Sequence, residues 1–183
     1  MHQQQQLPMG QVYLLPCHLY EGVIDPIPFY ILPAVQQCQY FFVENERTAR
    51  RYLKSMWREM VIDDYQWYTI GKAEAQVTQA FRQALQAGAT IGILSEAGCP
   101  GIADPGQLLV AEAQAMGAVV RPLVGPSSIL LALMASGLNG QQFTFNGYLP
   151  IDSSQRRRQL QQLDEAVQQK GITQLFIETP YRN

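Results

Sequence analysis

The chain has 183 residues, 47% of them hydrophobic and 15% charged, with a formal net charge of −2. That length holds one large domain or two small ones and suffices to bury a core. The composition excludes a disordered tail, a coiled coil and a collagen-like chain, and the near-neutral balance excludes a general electrostatic nucleic-acid binder while leaving room for a local basic patch.

The run from Met1 to Gly10 is rich in glutamine and has neither the charged start nor the apolar core of a signal peptide. Gln11–Leu15 reads as a short buried strand stopped by Pro16, and Phe29–Gln37 as a helix with apolar positions at helical spacing. Tyr40–Val43 is a strand. Glu44-Asn45-Glu46 then opens a helix on which Arg47, Arg50, Arg51, Lys54 and Arg58 recur at helical steps, forming one basic stripe. That stripe suits a phosphate backbone or an ordinary solvated face. Tyr65, Trp67 and Tyr68 alternate as in a strand, with a core role.

Thr90–Ser95 is the next strand, Glu96–Gly106 a loop rich in glycine and proline, Leu108–Met116 a helix stopped by Gly117, and Val119–Leu123 a strand. Asp104-Pro105 looks like an N-cap followed by proline at the first helical position. This β-α-β unit implies parallel strands, a right-handed crossover and a sheet covered on both faces. Gly125-Pro126-Ser127-Ser128 opens a second apolar helix ending near Gly137. A second module follows: strand Phe143–Phe145, a turn at Gly147-Tyr148-Leu149-Pro150, a polar helix Asp152–Gln169 carrying Arg156-Arg157-Arg158, and strand Gln174–Glu178. Thr179-Pro180 resembles a helix start, so a further C-terminal portion is expected.

Cys17, Cys38 and Cys99 are far apart and odd in number, and the chain has two histidines, so neither a metal site nor a disulfide framework is expected. No stretch approaches the ~18 apolar residues of a membrane span. A cytoplasmic protein with no membrane contact is the expectation. GxGxxG, GK[ST] and GxSxG are absent, which argues against dinucleotide, P-loop and hydrolase chemistry. In open α/β sheets ligands sit beyond the carboxyl ends of strands. The loops Glu96–Gly106 and Gly125–Ser128, each following a strand, are therefore expected to form a binding crevice at one sheet edge, unless their glycines and prolines merely turn the chain.

Five motifs occur in order: Ser95-Glu96-Ala97-Gly98-Cys99-Pro100; Ala103-Asp104-Pro105-Gly106; Pro122-Leu123-Val124-Gly125-Pro126-Ser127-Ser128; Gly147-Tyr148-Leu149-Pro150; and Glu178-Thr179-Pro180-Tyr181-Arg182. Together they resemble the tetrapyrrole methylase superfamily of S-adenosylmethionine-dependent methyltransferases, in particular its branch of ribosomal RNA small subunit ribose 2′-O-methyltransferases. Leu14-Leu15-Pro16 and Val43-Glu44-Asn45-Glu46-Arg47-Thr48 resemble that branch's first strand-loop and acidic-Arg segment. Two departures stand on the substrate side. The loop Pro16-Cys17-His18-Leu19-Tyr20-Glu21-Gly22 lacks the Ile-Gly-Asn-Leu expected after that proline, and Glu44-Asn45 replaces an acidic pair. Cys99 stands where threonine is common.

The resemblance implies two α/β domains, residues 11–123 and 124–183, the second apparently incomplete, with a cofactor cleft between them and a homodimer as the assembly. It implies S-adenosylmethionine as cofactor, held by Pro16, Ser95, Glu96, Ala97, Gly98, Cys99, Asp104, Gly125, Pro126, Ser127, Ser128, Tyr148 and Leu149, although Asp104 reads equally well as a plain helix cap. Glu44, Glu96 and Arg47 form the candidate catalytic set, with Glu46 a further carboxylate. Ribosomal RNA or the small ribosomal subunit is the implied partner and methyl acceptor. The alternatives are a methyltransferase acting on a tetrapyrrole or other small molecule, and a non-catalytic homologue that binds the cofactor or RNA.

Overall fold

Four short, apolar strands and one exposed edge strand carry the first part of the chain. In the computed structural model, which describes residues 8–71 and 74–179, β1 (Gln11–Leu14), β2 (Tyr40–Val43), β3 (Gln66–Thr69), β4 (Thr90–Leu94) and β5 (Val119–Pro122) form one sheet in the order β3-β2-β4-β1-β5. Every pairing is parallel. The expectations for the residues before Pro8 and for Pro180, Tyr181 and Arg182 lie outside the described residues.

The pleat sends successive side chains of β2 to opposite faces. Phe41 and Val43 enter one core with Ile31 and Val35 of α1 (Ile31–Gln37) and Tyr52 and Leu53 of α2 (Glu46–Met56). Phe42 enters a second core with Val77, Phe81 and Leu85 of α3 (Glu74–Gln86) and Leu109 and Ala113 of α4 (Gly106–Ala115). Both sheet faces are therefore covered, as a parallel sheet requires. Tyr65, Trp67 and Tyr68 pack as expected: Phe41 stacks on Trp67 and Phe42 on Tyr68, each at 4.8 Å between ring centroids. Helix α3 has no counterpart among the expected elements, although Val77, Phe81, Ala84 and Leu85 follow the spacing of a buried helical face.

The connections explain the strand order. From β1 to β2 to β3 the chain steps one way with α1 and α2 on one face. From β3 to β4 to β5 it steps the other way with α3 and α4 on the opposite face. One hand of crossover demands this switch of face with direction. The two strands of the β-α-β unit, β4 and β5, are not neighbours: β1 lies between them, so α4 crosses two strand spacings. β5 takes the edge, where Pro122, unable to donate to a ladder, is tolerated.

The chain divides into two compact units, with the boundary between Ser127 and Ser128. The second contains α5 (Ser128–Ser136), β6 (Phe143–Tyr148), α6 (Ser153–Lys170) and β7 (Thr173–Ile177), with β6 and β7 paired in parallel. Gly147 and Tyr148, expected in a turn, continue β6 through an irregularity in register between Phe145 and Tyr148. Asp152 caps α6 by accepting from the Ser154 and Gln155 N–H groups.

Candidate functional site

The switch of direction falls between β1 and β4, and the loops that follow β1, β4 and β5 meet at the carboxyl end of the sheet. Chain crossings of this kind leave a crevice there. Cys17 N–H donates to the Gly98 carbonyl at 2.7 Å, a lone antiparallel bridge that ties the β1 loop to the β4 loop. Cys99 Sγ points to the carbonyls of Gly125 (3.7 Å) and Pro126 (3.5 Å), tying the β4 loop to the β5 loop. Gly125 lies so close to Pro16 that a Cβ there would sit 2.0 Å from the proline Cβ. Gly98 is required for a different reason. Its φ of +73° lies in the left-handed region, while an added Cβ would meet neighbours at an ordinary 3.5 Å.

Asp104 is committed to the loop itself. Its two oxygens accept from the N–H groups of Gly101 and Gly106, both at 2.7 Å. Helix α4 thus begins one residue later than a simple Asp104 N-cap predicts, with Pro105 as the formal cap. Burial raises the Asp104 carboxyl above its usual range, and the backbone N–H groups partly offset this. Ala103, just before it, is held at φ +59°, a strained conformation for a residue with a Cβ. The Ser95 hydroxyl donates to the Ala97 carbonyl at 3.1 Å and braces the same loop.

Glu44, at the end of β2, accepts from the Glu96 N–H at 2.6 Å and joins the ends of two adjacent strands. Burial raises its carboxyl above the usual range, the N–H opposes this, and the charges of Asp104 and Glu96 raise it further. Asn45 is the N-cap of α2, accepting from the Arg47 and Thr48 N–H groups at 3.0 and 3.4 Å, so its side chain serves the helix end. Glu46 is held by Arg50 and by the Thr69 hydroxyl. Glu96 is the exposed one: Thr48 Oγ1 lies 3.4 Å from one oxygen, and the other has no partner among the described residues.

Two cavities adjoin this edge. One, of about 310 Å³, lies among the β1 loop, α2 and the β4 loop, and its lining includes His18, Glu21, Thr48, Arg51, Glu96 and Ala97, with Tyr52. The other, of about 380 Å³, is walled by apolar groups including Leu14, Ile102, Val110, Pro122 and Leu123, with Cys99. Pro16 is buried, its carbonyl accepting from the Tyr52 hydroxyl at 2.7 Å. Burial also raises the Cys17 and Cys99 thiols, which keeps both protonated.

Arg47 is exposed, with no side-chain partner among the described residues. Most of the cations expected as a stripe on α2 are engaged by neighbouring groups. Arg50 pairs with Glu46 and lies over Trp67, Arg51 pairs with Glu21, Lys54 is bound by the carbonyls of Arg58 and Met60, and Arg58 lies beyond the helix end. Ser127 ends the first unit. Ser128 opens α5, Tyr148 is an exposed end of β6 and Leu149 is buried, all three in the second unit. His18, Thr48, Arg51 and Tyr52 stand outside the expected site residues. The signal that marks them is the atypical loop Pro16–Gly22, since the cavity forms where that loop faces α2.

Among the described residues no group of three or more His, Cys, Asp or Glu is placed to hold a metal ion, and no helix is long and apolar enough to cross a membrane.

The fold is that of the tetrapyrrole methylases. A solved uroporphyrin-III C-methyltransferase from Thermus thermophilus matches with a TM-score of 0.53 at 16% identity, over 77% of this chain and 64% of that one. A structure of that enzyme complexed with S-adenosylhomocysteine matches with a TM-score of 0.50 at 17% identity, over 77% and 60%. In sequence the chain is related to the ribosomal RNA small subunit methyltransferase I proteins. It is 42% identical to that of Pseudomonas aeruginosa over 102 residues, 56% of this chain and 35% of the relative. To that of Halalkalibacterium halodurans it is 31% identical over 182 residues, 98% of this chain and 58% of the relative. The chain thus spans between about a third and three fifths of the length of these two relatives. No family model matches it.

Proposed function

We propose that this chain acts as an S-adenosylmethionine-dependent methyltransferase on small-subunit ribosomal RNA, at a ribose 2′-hydroxyl. The observation that carries this reading is the convergence of the β1, β4 and β5 loops at the switch point, with an apolar and a polar cavity beside it. The relatives' names and the Thermus thermophilus complex support the same reading.

The residues present fit the cofactor, which when bound supplies an electrophilic methyl group on a cationic sulfonium. Leu14, Ile102, Val110, Pro122 and Leu123 would cover a flat apolar ring. Glu44, Glu96 and Asp104 surround the loops with negative charge that favours a cation. Asp104 contributes through its field, because its oxygens are already bonded to backbone. Glu96, with an open oxygen, would take the acceptor hydroxyl's proton, a contribution of about 10²–10⁴-fold. Alignment of the two reactants would supply more, on the order of 7–11 kcal/mol. The same reading carries a homodimer, supported by the apolar surface that Leu131, Met134 and Leu138 expose on and just after α5.

Isothermal titration with S-adenosylmethionine and S-adenosylhomocysteine tests the cofactor, and transfer of labelled methyl to small ribosomal subunits tests the acceptor. Micromolar binding at one site per chain together with methyl incorporation is the expected result. Binding without transfer to any RNA leaves a non-catalytic homologue, and no binding of either compound overturns the proposal.

A further inference from the structure

The polar cavity has a one-sided chemistry. Its donors are committed: the Tyr52 hydroxyl to the Pro16 carbonyl, the Ser55 hydroxyl to the Tyr52 carbonyl, the Thr48 hydroxyl to Asn45 and Glu96, and Arg51 to Glu21. Its acceptors are open. One Glu96 oxygen has no partner among the described residues, and His18 Nδ1 is buried with none. The His18 ring is held edge-on against Tyr52 with centroids 5.0 Å apart, so the nitrogen belongs to a fixed wall. A buried polar atom left unpaired costs stability that a ligand's donor would restore.

Charge and size narrow the ligand. Glu21 and Glu96 outnumber Arg51 among the lining groups, and Glu44 stands directly behind the Glu96 backbone. An anionic guest such as a polycarboxylate macrocycle is repelled, and about 310 Å³ is at the small end of small-molecule sites. The cations are at the rim. Arg47 is exposed one helical turn before Arg51, on the same side of α2. Positive charge outside and open acceptors within, one of them the Glu96 carboxylate, match a nucleotide whose phosphates stay in solvent while its sugar and base enter.

We propose that this cavity is the acceptor subsite, receiving one ribose-and-base unit of single-stranded RNA, with the 2′-hydroxyl donating to Glu96, a base or sugar donor meeting His18, and a flanking phosphate at Arg47. The assignment rests on the methyltransferase reading for its purpose and on the cavity for its chemistry. Its test is binding of the whole chain to a short mixed-sequence single-stranded RNA and to the DNA of the same sequence, followed by fluorescence anisotropy across a salt series. S-adenosylhomocysteine binding is measured in parallel.

Wild type prefers RNA. His18→Phe, which keeps a ring and removes the nitrogens, and Glu96→Gln, which keeps the shape and removes the charge, each reduce that preference by about tenfold or to parity. Arg47→Ala weakens RNA and DNA alike and lowers the salt slope by about 1. If His18→Phe fails to fold by circular dichroism, Glu96→Gln carries the test, because its side chain is exposed. Equal binding of RNA and DNA by wild type, or an intact preference in the folded variants, overturns the subsite. Loss of preference in a chain that does not bind S-adenosylhomocysteine keeps the subsite and removes the methyltransferase reading.

Discussion

Glu44 and Asp104 share a property that has a measurable consequence: burial raises both carboxyls above their ordinary range. A carboxyl whose folded pKa lies above its unfolded value favours folding while protonated. Its contribution is full below the unfolded value and is lost as pH rises through the folded one. Glu44→Gln keeps an oxygen to accept from the Glu96 N–H and removes the charge. Relative to wild type, the variant therefore has an unchanged denaturation midpoint near pH 3, below the ordinary carboxylate value of about 4, and a higher midpoint at pH 7. Urea titrations at the two pH values check this, and a lower midpoint at pH 7 would show that the ionised form is the one the fold prefers. Of the candidate residues, Glu96 alone combines exposure, an open oxygen and a place in a cavity. Arg47 has the exposure but not the cavity.

At the scale of the element, α2 shows a local rule at a position next to the candidate catalytic Glu44. Asn45 has extended backbone and a side chain that accepts from two N–H groups of the first turn, which is what an N-cap does. Asn45→Ala should cost about 1 kcal/mol of stability, while Asn45→Asp, itself a good cap, should change it by no more than a few tenths. Thermal and urea unfolding read both. A gain in methyl transfer in Asn45→Asp is not expected, since the cap position holds the group on the helix end. The arginines of α2 are legible as a periodicity, while their partners are not: Arg50 and Arg51 find carboxylates on Glu46 and Glu21, the second of them 30 residues away in the chain.

For the molecule as a whole, the placing of β1 between β4 and β5 decides where the site lies. It brings the Pro16 loop against Gly125, so a side chain at Gly125 must displace that loop. Gly125→Ala should cost about 1–3 kcal/mol, the range for overfilling a packed site, and should also abolish S-adenosylhomocysteine binding. Calorimetry on the variant checks both, and unchanged stability would mean that the two loops separate freely.

Most strands and helices could be placed from local pattern, because apolar spacing, glycine stops and caps act within a few residues. The same holds for the loops that carry the five motifs. Helix α3 carries its own local signal in Val77, Phe81, Ala84 and Leu85, whereas the place of β1 between β4 and β5 depends on which crossovers bury both faces of the sheet. The partners of Asp104, Glu44 and the α2 arginines, and the cavity that His18 shares with Glu96, arise from segments far apart in the chain. Those segments meet only when the sheet closes its order, so chemistry shared across them was settled by packing.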